Sequence, residues 1–314
     1  MSRSRPTYAL ALALALALGA CDKTPPITDD QLDGEVIFDP SLNDPDAFLV
    51  SARGAPADAA DLSRPVLIAA HGYSASTAEW AELDAYAAGA GFEVSRVLLG
   101  GHGRTYADFR ASRWEDWRES VTREYEALVA LGYTDVSLAG SSTGGTLLLE
   151  LLQSGYFDAR PAPRHVFLVD AIVLPSVKLQ SLAGIVGPAL VYVETDQSAA
   201  EDRVYYRFRP EETVRELNEL IEEVRKGLEA GVTLPQNTTL TVFHAERDPT
   251  ANVLSAVLIA RGVTGFGASP AVEVSIVDSD LHVFTRLDLR EGVTPADRAR
   301  QAAAFEAMGV ALGG

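Results

Sequence analysis

Cysteine is almost missing from this 314-residue chain: Cys21 is the only one, so no disulfide can form within it and packing must hold any fold together. Basic residues are outnumbered, with 26 Lys and Arg against 44 Asp and Glu and a formal net charge of -18. A chain so short of cationic surface has no footprint for a phosphate backbone, which excludes nucleic acid as an expected partner. The acidity itself names no partner and reads as solubility. His-Glu-x-x-His, a cysteine cluster and the spacing of a calcium loop are all absent, and Gly100-Gly101-His102-Gly103 lacks the Lys-Ser/Thr ending of a phosphate-binding loop. No metal and no cofactor is therefore expected. The Ala/Leu run over residues 8–18 is too short for a permanent membrane span.

What is present begins with a leader. Arg3 and Arg5 give a positive start, the Ala/Leu run follows, and small residues close it, which is the order of an export signal. Leu18-Gly19-Ala20-Cys21 resembles the lipobox of bacterial lipoproteins, and that resemblance implies acylation of the Cys21 thiol after cleavage before it. The expectation is an exported protein of the cell envelope, tied to the inner or the outer membrane by a lipid anchor. Residues 1–20 would be the signal peptide, 21–34 a polar, Pro-containing flexible tether, and 35–314 the folded domain.

In the folded part, short β-branched runs alternate with helical patterns, which predicts an α/β domain with a mostly parallel central sheet covered by helices. Strands are expected at 66–70, 92–99, 135–139, 165–169, 240–243 and 272–277. A helix is expected from about Arg113, with Ser112 as its N-cap and Trp114, Trp117, Val121, Tyr125 and Leu128 as its core stripe. A second amphipathic helix over 210–231 falls inside an insertion of about 175–235, read as a cap over the sheet.

Between the strand at 135–139 and the run Thr146-Leu147-Leu148-Leu149 stands Gly140-Ser141-Ser142-Thr143-Gly144. Gly-x-Ser-x-Gly in that setting is a tight strand-to-helix turn, with small flanks that let the central side chain stand exposed. Ser142 is the central residue. Ser141 fails the register, because Ala139 and Thr143 would occupy its glycine positions. The following helix start also offers a positive dipole end to a developing oxyanion.

The segments PVLIAAHGYSAS (65–76), LLGGHG (98–103), WEDW (114–117), AGSSTGG (139–145), HAERDPT (244–250) and LHVF (281–284) together resemble the α/β-hydrolase family. Within it the likeness is to small-cap bacterial carboxylesterases and monoacylglycerol lipases. The resemblance implies a serine hydrolase with Ser142 as nucleophile, and with the backbone N-H groups of Tyr73 and Thr143 as the oxyanion hole. The family's chain order of Ser, acid, His then points to His282, which follows the last strand in a loop. Asp248 holds the usual position of the acid; Asp170, at the end of the preceding strand, is its rival. His71, His102, His165 and His244 read as structural histidines. The implied substrate is a small-molecule or lipid ester, while a thioesterase, peptidase or acyltransferase would use the same triad. A non-catalytic binding or scaffolding module on the same fold is the other reading.

Overall fold

The computed structural model describes residues 44–54, 58–176, 192–195, 197–266 and 272–313. The expected leader, Cys21, the tether and residues 177–191 of the expected cap lie outside the described residues.

A short helix, α1 (Ala59–Leu62), leads into β1 (Val66–Ala70). Then come α2 (Ala81–Ala90), β2 (Glu93–Val97), α3 (Tyr106–Ala111), α4 (Trp114–Leu131), β3 (Val136–Ser141), α5 (Thr143–Gln153) and β4 (His165–Val169). An antiparallel pair, β5 (Tyr192–Glu194) with β6 (Phe208–Pro210), precedes α6 (Glu211–Ala230) and β7 (Val232–Thr233). The remaining elements are β8 (Thr239–Ala245), α7 (Leu254–Gly262), β9 (Val263–Thr264), β10 (Val272–Val277) and α8 (Pro295–Ala311). Six strands form one sheet in the order β10-β8-β4-β3-β1-β2, and each pairing in it is parallel.

Burial on both faces explains why the inner strands read as unbroken apolar runs. In β1, Val66, Ile68 and Ala70 enter one core with α4, α5 and α6, while Leu67 and Ala69 enter a second core with α2 and α8. β4 divides likewise, with Val166 and Leu168 on the first side and Phe167 and Val169 on the second. The expected fold class is thus the observed one. Among the described residues no helix is long and apolar enough to cross a membrane.

One local expectation fails. Ser112 does not cap α4; it ends α3, a helix the sequence pattern did not disclose, and its hydroxyl donates to the Phe109 carbonyl at 2.8 Å. The indole of Trp117 donates to the same hydroxyl at 2.8 Å, so packing has claimed the oxygen that a cap would use. The N-cap is Arg113 instead, whose amide donates to Asp116 at 2.8 Å.

The turn from β3 into α5 leaves no space for side chains at its flanks. A Cβ on Gly140 would lie 2.5 Å from the Gly144 carbonyl carbon, and one on Gly144 would lie 2.7 Å from the His71 carbonyl oxygen and closer still to that of Ala70. Backbone, which cannot swing away, is the obstacle in both cases. Gly144→Ala is therefore expected to cost about 3 kcal/mol of stability. Gly89→Ala, on the open side of α2 where a Cβ meets nothing within 4 Å, should instead stabilise by about 0.5–1 kcal/mol. Urea titration of the two variants tests this; wild-type stability in Gly144→Ala would mean that the turn does not press on the end of β1.

Candidate active site

Parallel strands deliver their following loops to one edge of the sheet, and that edge collects the candidate residues. Ser142 follows β3, Asp170 follows β4, Asp248 follows β8, His282 follows β10, and His71-Gly72-Tyr73 follows β1. Ser142 sits at φ 49°, ψ -117°, a conformation that costs a non-glycine residue about 1–3 kcal/mol. Its amide donates to the Val169 carbonyl at 2.9 Å and its carbonyl accepts from the Thr146 amide at 3.2 Å, so neighbours on both sides hold the strain. Ser74, Asp170 and Val283 are also at positive φ and border the same site. For the β-branched Val283, beside His282, this is a marked departure.

His282 lies between Ser142 and Asp248. Its Nε2 is 2.9 Å from the Ser142 hydroxyl, and its Nδ1 is 2.7 Å from Asp248 Oδ2. The other Asp248 oxygen accepts from the amides of Thr250 at 2.7 Å and Ala251 at 2.9 Å, which fixes the carboxylate plane. Burial pushes the Asp248 carboxyl up, but the charge and hydrogen bond of His282 and the two amides outweigh it, and it rests below the usual carboxylate range.

Asp170 is fully buried beside this pair and bonds elsewhere. It accepts from the Ala245 amide at 2.6 Å and from the Phe284 amide at 3.2 Å, tying β8 and the His282 loop to the end of β4. Burial first, and the charge of Asp248 second, raise its carboxyl to about 6. Asp170, Asp248 and His282 cluster closely enough to suggest a metal site. Their oxygens are instead engaged by amides and by the imidazole, so the cluster is a hydrogen-bond network.

Tyr73 and Thr143 line the same cavity as Ser142. The Thr143 amide opens α5, where N-H groups have no intrahelical acceptor, and the Tyr73 amide donates to no backbone carbonyl among the described residues. Of the remaining histidines, His71 is buried, with Nδ1 2.8 Å from the Gly72 carbonyl and Nε2 accepting from the Leu99 amide at 3.1 Å. Burial pushes it down to about 4, so it is a neutral brace under the loop. His102 packs on Phe109 and Trp117, and His165 meets Thr239 at the far end of the sheet. His244 is buried at the end of β8, with Nδ1 3.0 Å from the Ala245 carbonyl oxygen.

No protein-family model matches the chain. Solved structures do. A metagenome-derived lipolytic enzyme is 20% identical with a TM-score of 0.60, over 78% of this chain and 94% of its own. Monoglyceride lipase from Saccharomyces cerevisiae, bound to a substrate analogue, is 12% identical with a TM-score of 0.60, over 80% and 86%. Monoacylglycerol lipase from Paleococcus ferrophilus is 12% identical with a TM-score of 0.60, over 79% and 96%. The chain has the α/β-hydrolase fold.

On this α/β-hydrolase scaffold several site residues carry no sequence signature. Buried Glu79 accepts from the Gly72 amide at 2.7 Å and from the Ser141 hydroxyl, locking the His71-Gly72-Tyr73 loop to the residue before Ser142. Arg290 donates to the His282 carbonyl and thereby braces the strained turn at Val283. Above the site, α6 packs on α5 and helps to wall a cavity of about 520 Å³ with Val214, Leu217 and Ile221. The Tyr73 hydroxyl lies 2.6 Å from that of Thr213, joining the loop to the first turn of α6.

Proposed function

We propose that the chain is a serine hydrolase of carboxylic esters that works through an acyl-enzyme. The observation that carries this reading is the continuous contact from Ser142 through His282 to Asp248, at 2.9 Å and 2.7 Å, on the floor of a cavity. His282 Nε2 takes the Ser142 proton as Oγ bonds to the ester carbonyl carbon, and Asp248 holds the imidazolium. The amides of Tyr73 and Thr143 receive the oxyanion. As the C–O bond to the alcohol breaks, His282 returns the proton to the leaving oxygen; water, activated by the same imidazole, then releases the acid. The lipolytic activities named for the solved relatives, and the apolar wall from α6, favour an ester over an amide. Purified protein assayed on p-nitrophenyl esters from acetate to palmitate should give saturable turnover. A folded protein that hydrolyses none of them, but cleaves a peptide or thioester, would move the reading to those substrates.

The anchor belongs to the same proposal. Acylated Cys21 would hold the domain at a membrane, since each buried CH₂ contributes about 0.8 kcal/mol and several chains act together. Mass spectrometry after native expression should find acyl chains on an N-terminal Cys21; an unmodified terminus at another residue would reduce the leader to a secretion signal.

A further inference from the structure

The cavity over Ser142 is lined by three arginines, Arg209, Arg286 and Arg290, and by the acids Glu79, Glu194, Glu201 and Asp280. Two of the arginines are engaged by the protein. Arg286 pairs with Glu201 at 2.8 Å and lies over the Tyr205 ring, and Arg290 donates to the carbonyls of Arg286 at 2.8 Å and of His282. Arg209 differs from both in its partners. Its Nε, like that of Arg286, is buried with no acceptor, but among the described residues no carboxylate pairs with Arg209, and its neighbour is the Tyr73 ring, 5.5 Å from guanidinium carbon to centroid. It lies on β6, whose register with β5 and continuity with α6 hold it in the cavity wall.

Arg209 is half-buried, with its Nε shut away from water and no counter-charge among the described residues, and an anion in the cavity would supply the missing partner. The chain's net charge of -18 repels anions at long range, so attraction must act at contact. One uncompensated cation matches one negative charge, which favours a carboxylate over a doubly charged phosphate. The planar fork of arginine suits it. We propose that Arg209 receives a carboxylate on the substrate, so that the preferred ester carries one in its acyl or its alcohol part. This rests on the hydrolase reading above.

The test reads ratios within each protein, so that general damage cancels. Wild-type, Arg209→Gln and Arg209→Lys chains are assayed on two matched pairs. One pair places the charge in the acyl part: mono-p-nitrophenyl glutarate against p-nitrophenyl pentanoate. The other places it in the alcohol part: the butyrate ester of glycolate against propyl butyrate. Wild type should favour the anionic member of one pair by about tenfold or more in kcat/KM, mainly through KM. The preference should fall to near unity in Arg209→Gln and survive in part in Arg209→Lys. Preference for the neutral member of both pairs in wild type, or an unchanged ratio in the variants, overturns the inference while leaving ester hydrolysis standing. Ligand-observed NMR of glutarate with Ser142→Ala separates the two ideas. Binding lost on adding Arg209→Gln supports the anion site even if no ester turns over, in which case the hydrolase reading fails alone.

Discussion

Ser142→Ala is expected to lower kcat for ester turnover by about 10⁵-fold or more with the fold intact, because the nucleophile has no substitute in the site. Ser141, one residue earlier, faces Glu79 and the Ala70 carbonyl inside the protein and cannot replace it. His282→Ala should be about as damaging, since the hydroxyl then has no base at 2.9 Å. Combining the two should add little, because residues that act as a unit are strongly non-additive. Single-turnover kinetics on the three proteins, with circular dichroism as the folding control, checks this. Near-additive losses would mean that Ser142 and His282 do not act on the same step.

The second large effect separates two buried carboxylates. Asp248→Asn should reduce kcat by about 10³- to 10⁴-fold, because the amide favours the wrong imidazole tautomer and cannot stabilise the imidazolium. Asp170→Asn should cost only about tenfold to a hundredfold, through displacement of the His282 loop that it ties down at Phe284. The reverse ranking would make Asp170 the acid. Stability adds a signed test. With a carboxyl raised to about 6 by burial and by Asp248, Asp170 supports the fold fully below the ordinary carboxylate range and loses that support as pH rises through about 6. Asparagine has no proton to lose there. The stability deficit of Asp170→Asn relative to wild type should therefore shrink between pH 5 and pH 8, and a deficit that grows would contradict this assignment.

These two acids also mark where the sequence stops being legible. Each follows a strand ahead of His282, so chain order alone does not separate them, and the preference for Asp248 rests on the family resemblance. Their partners differ: Asp170 gives its oxygens to two amides, while Asp248 turns one to His282 Nδ1. The sheet was far more readable, because strands buried on both faces leave apolar runs, and 66–70 and 165–169 coincide with β1 and β4; 272–277 coincides with β10, an exposed edge strand marked instead by its β-branched residues. Strand ends drift where the run outlasts the pairing, as in 92–99 against Glu93–Val97. Ser112 shows tertiary packing overriding a sound local rule, since Trp117 uses the hydroxyl that a cap would need. The six residues of α3 are too few to show a period. Ser142 has a local motif and could be singled out by register alone. Glu79, Arg209 and Arg290 have none, because each acts on a loop or cavity brought to it from a distant stretch of chain.

The nucleophile itself can be tested in one measurement: labelling of the purified chain with a fluorophosphonate, followed by peptide mapping. A single phosphonyl adduct is expected on Ser142, absent in Ser142→Ala and slow to form in His282→Ala. A folded chain that takes up no label, or takes it up on Ser141 or another residue, would contradict the assignment of Ser142 as the attacking serine.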